Sequence, residues 1–371
     1  MEFKKSTLEK IILDHNSVNV NPIVKEDCLR IIKDNSFLLN KLSGKNILIT
    51  GGNGFLMSYL VDVLAYWNLL NKNKKCQIFV LDSSKKFDRI FYLKKRKDIK
   101  FINTDVAKVS NLKIKFNYIV HGASIASPTY YRIFPLKTLD ANILGTRKIL
   151  DLAKNNKVSS MIFASSSEVY GNPDKKNIPT SENYNGDVSF TGPRACYDES
   201  KRVGETLCNI YIRNYKLPVK IIRPFNVYGP NQNINDKRII PDLLKSALKN
   251  NNLELYSKGL DTRSFCYVSD AISLIIKILL NKQSKEVAIN VGNDEREISI
   301  KNLSKIFVKI SNQVLNKKIK VIFKTSKDKD YMTDNPQRRK PSLKLAKKFF
   351  NWKPKIKLKI GLKRTLESYL K

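Results

Sequence analysis

The stretch ITGGNGFLMSYL (49–60) predicts a turn between a buried strand and a helix, because it continues the apolar run NILIT (46–50). Gly51 and Gly54 match the first two glycines of a T-G-x-x-G-x-x-G loop. Glycines in such a loop let backbone N–H groups approach a pyrophosphate at a helix N-terminus. Glycines alone are a weak signal, but the strand–turn–helix setting is the one that this loop requires. An ordinary tight turn is the alternative interpretation.

From this loop onward, apolar strands alternate with longer amphipathic stretches, which predicts a doubly wound parallel sheet of the Rossmann type. We expect strands at 46–50, 76–81, 100–103, 117–120, 159–164 and 219–223, and helices at 136–155 and 196–215. We therefore divide the chain into a helical arm (1–44), a dinucleotide-binding domain (45–226) and a smaller C-terminal α/β lobe that mainly binds substrate (227–371). In the arm, Ser6–Glu9 has the form of a capping box, and a second helix is expected from Lys25 to Leu39.

The 371-residue chain is 42% hydrophobic, and no apolar run is long enough to span a bilayer. Its five scattered cysteines indicate reduced thiols and a cytoplasmic protein, and two histidines exclude a His-rich metal site, so no metal is expected. The net charge of +36 could indicate a nucleic acid or an anionic membrane as partner. Lysines are spread over every segment, however, so a solvated basic surface is the favoured interpretation, and neither partner is expected.

The second expected strand ends at Asp82, where a carboxylate can accept hydrogen bonds from both ribose hydroxyls of a dinucleotide. Its charge would repel a 2′-phosphate, which favours NAD over NADP, although Lys85 and Lys86 weaken that preference. Met57 stands where the third glycine of the loop is expected. We therefore expect the following helix to stand slightly away from the sheet, which puts the affinity for the cofactor in question.

Tyr197 and Lys201 are four residues apart in GPRACYDESKRVGE (192–205), so on a helix they lie on one face. An ammonium group near a phenol favours the phenolate and lowers the pKa of the tyrosine. This pair can therefore remove a hydroxyl proton while a hydride leaves the same carbon atom. The stretch ASSSEVYG (164–171) directly follows the apolar run SSMIF (159–163), which is expected to be a buried strand. Its three serines and one glutamate would cost free energy there unless a ligand or another group binds them.

With these motifs, the sequence resembles the extended short-chain dehydrogenase/reductases of the nucleotide-sugar epimerase/dehydratase family, from about residue 45 to the C-terminus. The motifs that fall in the family's order are TGGNGF (50–55), Asp82, HGASIASP (121–128), Asn142, ASSSEVYG, Tyr197/Lys201, RPFNVYGP (223–230) and TRSFCYV (262–268). Within the family the resemblance is strongest to UDP-glucuronate decarboxylases. It is carried by GPRACYDESKRVGETLC (192–208), DTRSFCYVSD (261–270) and NPQRRKPSLKLAKKFFNWKP (335–354).

The resemblance implies that Tyr197 removes the proton of the 4-hydroxyl group of the sugar while NAD takes the hydride from C4. The resulting 4-ketone lies β to the carboxylate, so carbon dioxide leaves, C5 is reprotonated and the hydride returns. Ser166 would contact the 4-hydroxyl group, and Ser167 and Glu168 would face C5 and C6. The implied cofactor contacts are Gly51, Asn53, Gly54, Phe55, Leu56, Asp82, Asp105, Val106, Ala123, Tyr197 and Lys201.

On the substrate side, the resemblance implies that Asn226 and Arg263 hold the nucleotide diphosphate. Arg339 matches a further substrate-side arginine, and Tyr131 matches a tyrosine near the sugar. A surface ion pair for Arg263, a turn cap for Asn226 and plain packing for Tyr131 are the structural alternatives. His121 is expected to be a packed residue at a strand end. The family also implies a homodimer that packs through the helices at 136–155 and 196–215.

Three other functions stay open. A nucleotide-sugar 4,6-dehydratase would use the same first oxidation, with Glu168 taking the C5 proton, but many of these enzymes have Asp at the position of Ser167. A 4-epimerase would leave Glu168 without a task. A non-catalytic nucleotide- or nucleic-acid-binding protein would account for the charge of +36. The presence of Tyr197, Lys201 and Glu168 argues against that last function.

Overall fold

The computed structural model describes residues 18–19, 21–71, 73–110, 112–249, 251–281, 288–325 and 333–370. The strands are β1 Asn46–Thr50, β2 Gln77–Asp82, β3 Ile99–Asn103, β4 Tyr118–His121, β5 Ser160–Ala164, β6 Val219–Pro224, β7 Asn226–Tyr228, β8 Leu253–Leu255, β9 Thr262–Tyr267, β10 Ala288–Val291, β11 Glu297–Ser299, β12 Val321–Phe323 and β13 Arg338–Arg339. The α-helices are α1 Pro22–Leu39, α2 Phe55–Leu70, α3 Pro128–Ile133, α4 Pro135–Asp140, α5 Thr146–Asn156, α6 Ala195–Tyr215, α7 Ile239–Leu248, α8 Val268–Leu280, α9 Ile300–Leu315, α10 Lys344–Phe350 and α11 Leu358–Glu367.

Seven parallel strands form the central sheet in the order β10-β6-β5-β4-β1-β2-β3. Each of the six strands expected from apolar runs is present within one or two residues, and the doubly wound fold is confirmed. These strands read as continuous apolar runs because helices cover both faces of the sheet. The strand order reverses between β1 and β4, and a crevice forms there at the carboxyl ends of the strands, where open α/β sheets bind their ligands.

The arm contributes α1, which packs against α2 and α8. This contact explains why α2 is apolar around most of its circumference. Asp27 of α1 is buried and accepts hydrogen bonds from Tyr59 of α2 and Tyr267 of β9, and it pairs with Arg364 of α11. The helix expected from Lys25 to Leu39 is confirmed, whereas the capping box at residues 6–9 lies outside the described residues. No helix in the described ranges is long and apolar enough to cross a membrane.

A second, smaller group of strands stands beside the carboxyl ends of the central sheet. Strands β7, β9, β11 and β13 form a four-stranded sheet, and β8 pairs with β12. The register places Arg339 opposite Arg263, and Asn226 opposite Phe265. Strand β10, although it follows residue 227, belongs to the central sheet through its pairing with β6. The smaller sheet thus brings three of the predicted substrate residues to one place above the crevice.

Candidate active site

The loop between β1 and α2 has the geometry that close approach of a ligand requires. Gly51 has a φ of +70°, and a Cβ at this position would lie 2.7 Å from the backbone of Ala123, so only glycine fits. Gly54 caps α2 without a side chain that accepts from the first-turn N–H groups. These N–H groups therefore stay available to an anion at the positive end of the helix.

Asp82 at the end of β2 connects this loop to the neighbouring strand. Its Oδ2 atom accepts a hydrogen bond from the backbone N–H of Asn53 at 3.0 Å, and its Oδ1 atom accepts from that of Ser84 at 2.9 Å. Arg89 binds the other side of Asn53: its backbone N–H donates to the side-chain oxygen at 3.1 Å, and its guanidinium group donates to the backbone carbonyl. Burial lowers the pKa of Arg89. The loop is thus held in place by one carboxylate and one buried cation.

A cavity of about 1270 Å³ extends from the loop past α6 to the smaller sheet. The predicted site residues on its wall are Gly51, Gly54, Phe55, Leu56, Tyr131, Ser166, Ser167, Glu168, Tyr197, Lys201, Asn226, Arg263 and Arg339. Five predicted cofactor residues are not on this wall: Asn53, Asp82, Asp105, Val106 and Ala123. The Asp105 carboxylate accepts from the backbone N–H of Ala107, and Val106 fills the space beside Gly145.

Tyr197 lies in the first turn of α6 and Lys201 one turn later, as their spacing predicts. The Nζ atom of Lys201 donates to the backbone carbonyl of Ala164 at 2.9 Å, and burial lowers the pKa of this lysine to about 7. Burial raises the pKa of Tyr197 to about 12, while a hydrogen bond with Ser166 acts in the opposite direction. The pKa of Tyr197 in the protein alone is therefore raised and not lowered, because desolvation outweighs the groups that act to lower it.

The ring of Tyr131 stacks on that of Tyr197, with 4.9 Å between the centroids and an angle of 10° between the planes. Tyr131 is buried, and its hydroxyl group has no hydrogen-bond partner within the described parts of the chain. Burial raises the pKa of this hydroxyl group. Tyr131 therefore packs flat against the ring of Tyr197 and presents a neutral hydroxyl group that is available to a ligand.

Glu168 lies in a short 3₁₀ segment (Ser167–Tyr170) after β5, and its carboxylate lies between two guanidinium groups. One oxygen pairs with Arg194 and the other with Arg339. Burial acts to raise the pKa of Glu168, but the charges of Arg339 and Arg194 outweigh it and hold the pKa below its usual range. Asp198 is close to the same group, with its Oδ2 atom 3.5 Å from Nε of Arg194. Burial, together with the charge of Glu168, raises the pKa of Asp198.

Arg263 lies beside this cluster with few anions to balance it. It donates to the side-chain oxygen of Asn335 at 3.2 Å and is 3.9 Å from Asp261. Burial and the neighbouring charge of Arg339 lower the pKa of Arg263 to about 10. Asn226 donates a long hydrogen bond of 3.4 Å to the carbonyl of Ser264. Buried cations with incomplete pairing are suited to an anionic ligand such as a diphosphate.

His121 is buried at the end of β4 between the hydroxyl groups of Thr50 and Thr146, at 2.7 and 3.0 Å. Burial lowers the pKa of His121 to about 3, so the ring is neutral at physiological pH. Its prediction as a packed residue at a strand end is confirmed.

Comparison with known proteins assigns the chain to a family. Residues 47–292 match the NAD dependent epimerase/dehydratase family. The chain belongs to this family. It is 35% identical to UDP-glucuronic acid decarboxylase 1 from Xenopus tropicalis, over 90% of this chain and 74% of the relative. It is also 35% identical to UDP-glucuronic acid decarboxylase 6 from Arabidopsis thaliana, over 86% of this chain and 87% of the relative. The predicted resemblance is confirmed.

Solved structures share the fold. Epimerase Mth375 from Methanothermobacter thermautotrophicus superposes with a TM-score of 0.76 at 23% identity, covering 92% of this chain and 95% of that chain. UDP-glucuronic acid 4-epimerase from Bacillus cereus, in complex with UDP-glucuronic acid and NAD, superposes with a TM-score of 0.70 at 24% identity, covering 87% and 98%.

The loop geometry fits the NAD that gives the family its name. The space beside Gly51 admits only a hydrogen atom, the N–H groups after Gly54 have no side-chain cap, and Asp82 stands at the end of the adjacent strand. NAD as cofactor is therefore confirmed by the family and consistent with the residues that would hold it. The separate contacts predicted for individual side chains stay predictions.

Sequence reasoning missed Arg89 and Arg194. Arg89 is 36 residues from Asn53, so nothing in the local pattern indicated their contact. Arg194 carried a usable signal, because it stands three residues before Tyr197 in the distinctive stretch GPRACYDE (192–199). A residue at that spacing lies on the same face of the helix as the tyrosine and its neighbour Asp198.

Proposed function

We propose that this member of the epimerase/dehydratase family decarboxylates UDP-glucuronate to UDP-xylose. Identity of 32–35% to several UDP-glucuronic acid decarboxylases over most of the chain supports this function. The observation that carries it in the structure is one cavity whose wall brings Tyr197 and Lys201 together with Glu168 and five arginines, among them Arg194, Arg263 and Arg339. An acid sugar joined to a diphosphate needs this combination of a proton acceptor and several cations.

In this reaction we assign Tyr197 to the proton of the 4-hydroxyl group, with Ser166 as its hydrogen-bond partner. Bound NAD supplies the acceptor and later the donor of the hydride at C4. Lys201 is the buried cation beside Tyr197 that favours the phenolate. Once C4 is a ketone, the C5–C6 bond breaks, its electron pair passes into the enolate and carbon dioxide leaves. The enolate then takes a solvent-derived proton at C5, and Tyr197 returns its proton to the 4-oxygen as the hydride returns to C4. We assign Arg263 and Asn226 to the diphosphate; Arg339 lies beside Ser167.

A 4,6-dehydratase fits this cavity less well. It needs Glu168 to take the C5 proton, but the pairing with Arg194 and Arg339 holds the pKa of that carboxylate low. It also needs an acid for the leaving hydroxyl group at C6. The neighbouring side chain is Ser167, whose hydroxyl group accepts a hydrogen bond from Arg339 at 3.3 Å. A neutral serine hydroxyl is a weak acid for that step.

We also propose a cytoplasmic homodimer whose interface includes the helical run 135–156 and α6. Exposed apolar side chains on these helices support this interface: Leu136, Leu144, Val203 and Ile210. All five cysteines are free, as expected in a reducing compartment. Light scattering on the purified protein measures the mass, and a monomer at micromolar concentration would contradict the dimer.

The function is tested by incubating the protein with UDP-glucuronate and catalytic NAD and following the products by proton NMR. We expect UDP-xylose and one equivalent of carbon dioxide. Tyr197→Phe keeps the ring that stacks on Tyr131 but removes the proton acceptor, so turnover should be lost while the fold is retained. Arg213→Gln, an exposed change in the last turn of the same helix, is the matched control. Water loss from UDP-, dTDP- or GDP-hexoses without decarboxylation would assign the dehydratase reaction instead.

A further inference from the structure

The two arginines that bind Glu168 differ in how fully their other donors are used. Arg339 also donates to Ser167 at 3.3 Å and to the carbonyl of Gly171 at 3.2 Å. Arg194 donates one hydrogen bond, from Nη2 to Glu168, and its buried Nε atom lies 3.5 Å from Oδ2 of Asp198; its Nη1 atom makes no hydrogen bond within the described chain. Arg194 is therefore the arginine with unused donor capacity, although its side chain is 90% buried.

Arg194 lies close to the residues that are proposed to act on the sugar. It caps α6 immediately before the catalytic turn, and its carbonyl accepts the backbone N–H of Tyr197 at 2.9 Å. Its guanidinium group lies 5.9 Å from the ring centroid of Tyr131, and that ring stacks on Tyr197. Arg194 thus lines the cavity next to the tyrosine helix and the end of β5, and its Nη1 atom is the donor left for a ligand.

We propose that Arg194 recognises the carboxylate of the acid sugar by exchanging one oxygen of Glu168 for the carboxylate that the reaction removes. This inference rests on the proposed decarboxylase function and deepens it, because it names a residue that selects acid sugars over neutral ones. The planar guanidinium group can bind a carboxylate through two parallel hydrogen bonds. A neutral hexose has a hydroxymethyl group in place of that carboxylate and leaves Glu168 paired with both arginines.

The exchange also changes what Glu168 can do. The charged groups that face it are Arg194 at the N-terminal cap of α6, Asp198 from α6, Arg339 from β13 and Arg263 from β9, and Tyr131 and Tyr197 complete its surroundings. A second anion shares the positive charge of Arg194, so the pKa of Glu168 rises toward the value of an ordinary buried carboxylate. Glu168 can then exchange a proton beside C5, which its paired form cannot do at neutral pH.

Binding measurements separate this selection from catalysis. We would titrate UDP-glucuronate, UDP-glucose and UDP into the NAD-loaded Tyr197→Phe protein, which cannot turn over, with and without Arg194→Gln. The parent is expected to bind UDP-glucuronate at least about tenfold more tightly than UDP-glucose, and Arg194→Gln should remove that preference while changing the affinity for UDP-glucose less than about twofold. Arg194→Lys should retain part of the preference, since a point charge lacks the two-bond geometry. Arg213→Gln should change neither affinity.

An equal loss for all three ligands, or a preference unchanged by Arg194→Gln, would overturn the role of Arg194. A preference removed by Arg339→Gln but not by Arg194→Gln would transfer it to Arg339 and also overturn the proposal. Thermal melting of each variant identifies any that fails to fold, and Arg194→Lys then carries the test. If the wild-type protein makes no UDP-xylose but the preference persists and depends on Arg194, the proposed reaction is wrong and the carboxylate site stands.

Discussion

Met57 fills the space that a side chain at Gly122 would need. A Cβ added at Gly122 would lie 2.6 Å from Cγ of Met57 and 2.8 Å from its sulfur atom. Met57 is buried in the first turn of α2, where the loop pattern has its third glycine, and Gly122 directly follows β4. In the loop pattern, a glycine in the helix keeps the space between helix and sheet free. Here the glycine is Gly122, at the end of the neighbouring strand, so the larger side chain of Met57 fits between α2 and the sheet.

The pair predicts non-additive substitutions. Gly122→Ala forces the Met57 side chain or α2 to move, and overpacking of this kind costs about 1–3 kcal/mol. In a Met57→Ala background the same substitution should be close to neutral, because the space is already open. A double-mutant cycle on the free energy of unfolding, together with NAD affinity from calorimetry, measures this coupling. Additive effects on both quantities would show that the two residues do not share one space.

Asp82 should set the preference for NAD over NADP. Asp82→Asn removes the negative charge but keeps an oxygen that can accept from Asn53, so the loop is retained. NAD binding should weaken by about tenfold as charge-assisted hydrogen bonds to ribose are lost, and the ratio of NADP to NAD affinity should rise. Calorimetry with both cofactors measures the ratio. Asp88→Asn, exposed and six residues away, is the control, and an unchanged ratio in Asp82→Asn would refute this role for the carboxylate.

Ser166 should determine the pH at which Tyr197 works. Its hydrogen bond acts to lower the pKa of Tyr197 against the effect of burial. Ser166→Ala removes it, and a hydrogen bond to a charged group contributes about 1.5–3 kcal/mol, or roughly one to two pKa units. We expect the turnover rate at pH 7 to fall about 10- to 100-fold and to recover toward the wild-type rate at alkaline pH.

The pH–rate profile is the measurement for Ser166. Ser165→Ala is a matched control, because that hydroxyl group donates to Glu205 at 2.6 Å and not to the tyrosine. The control profile should keep its wild-type position on the pH axis. A Ser166→Ala rate that is reduced by the same factor at every pH would assign Ser166 to substrate binding and not to the ionisation of Tyr197.

The sequence predicts this fold well where the evidence is local. The apolar runs that become β1 to β6 and the spacing of Tyr197 and Lys201 depend only on neighbouring residues. The pairing of Glu168 with Arg194 and Arg339 joins positions 26 and 171 residues apart, so only the packed structure shows it. The balance between burial and charge at Tyr197 is equally invisible in the sequence, since desolvation depends on every element that covers the ring.

Asp62 should make the stability of the protein fall as pH rises. It is buried in α2, where it accepts hydrogen bonds from Tyr92 at 2.5 Å and Asn19 at 3.1 Å. Burial raises the pKa of Asp62 to about 7, from an ordinary value of 3.8, although both hydrogen bonds act to lower it. The folded protein therefore holds the proton more tightly than the unfolded chain between pH 4 and 7, and this stabilising contribution is lost as pH rises through that range.

The variant Asp62→Asn isolates this effect, because a carboxamide has nearly the same shape and does not titrate. Ionisation of the buried carboxyl group costs up to about 4 kcal/mol, the equivalent of roughly three pKa units. Between pH 5 and pH 7.5 the melting temperature of the wild type should therefore fall relative to that of Asp62→Asn, while Asp88→Asn should follow the wild type. Parallel melting curves for all three proteins would show that Asp62 is already ionised at pH 5, because desolvation would then be offset by its hydrogen bonds.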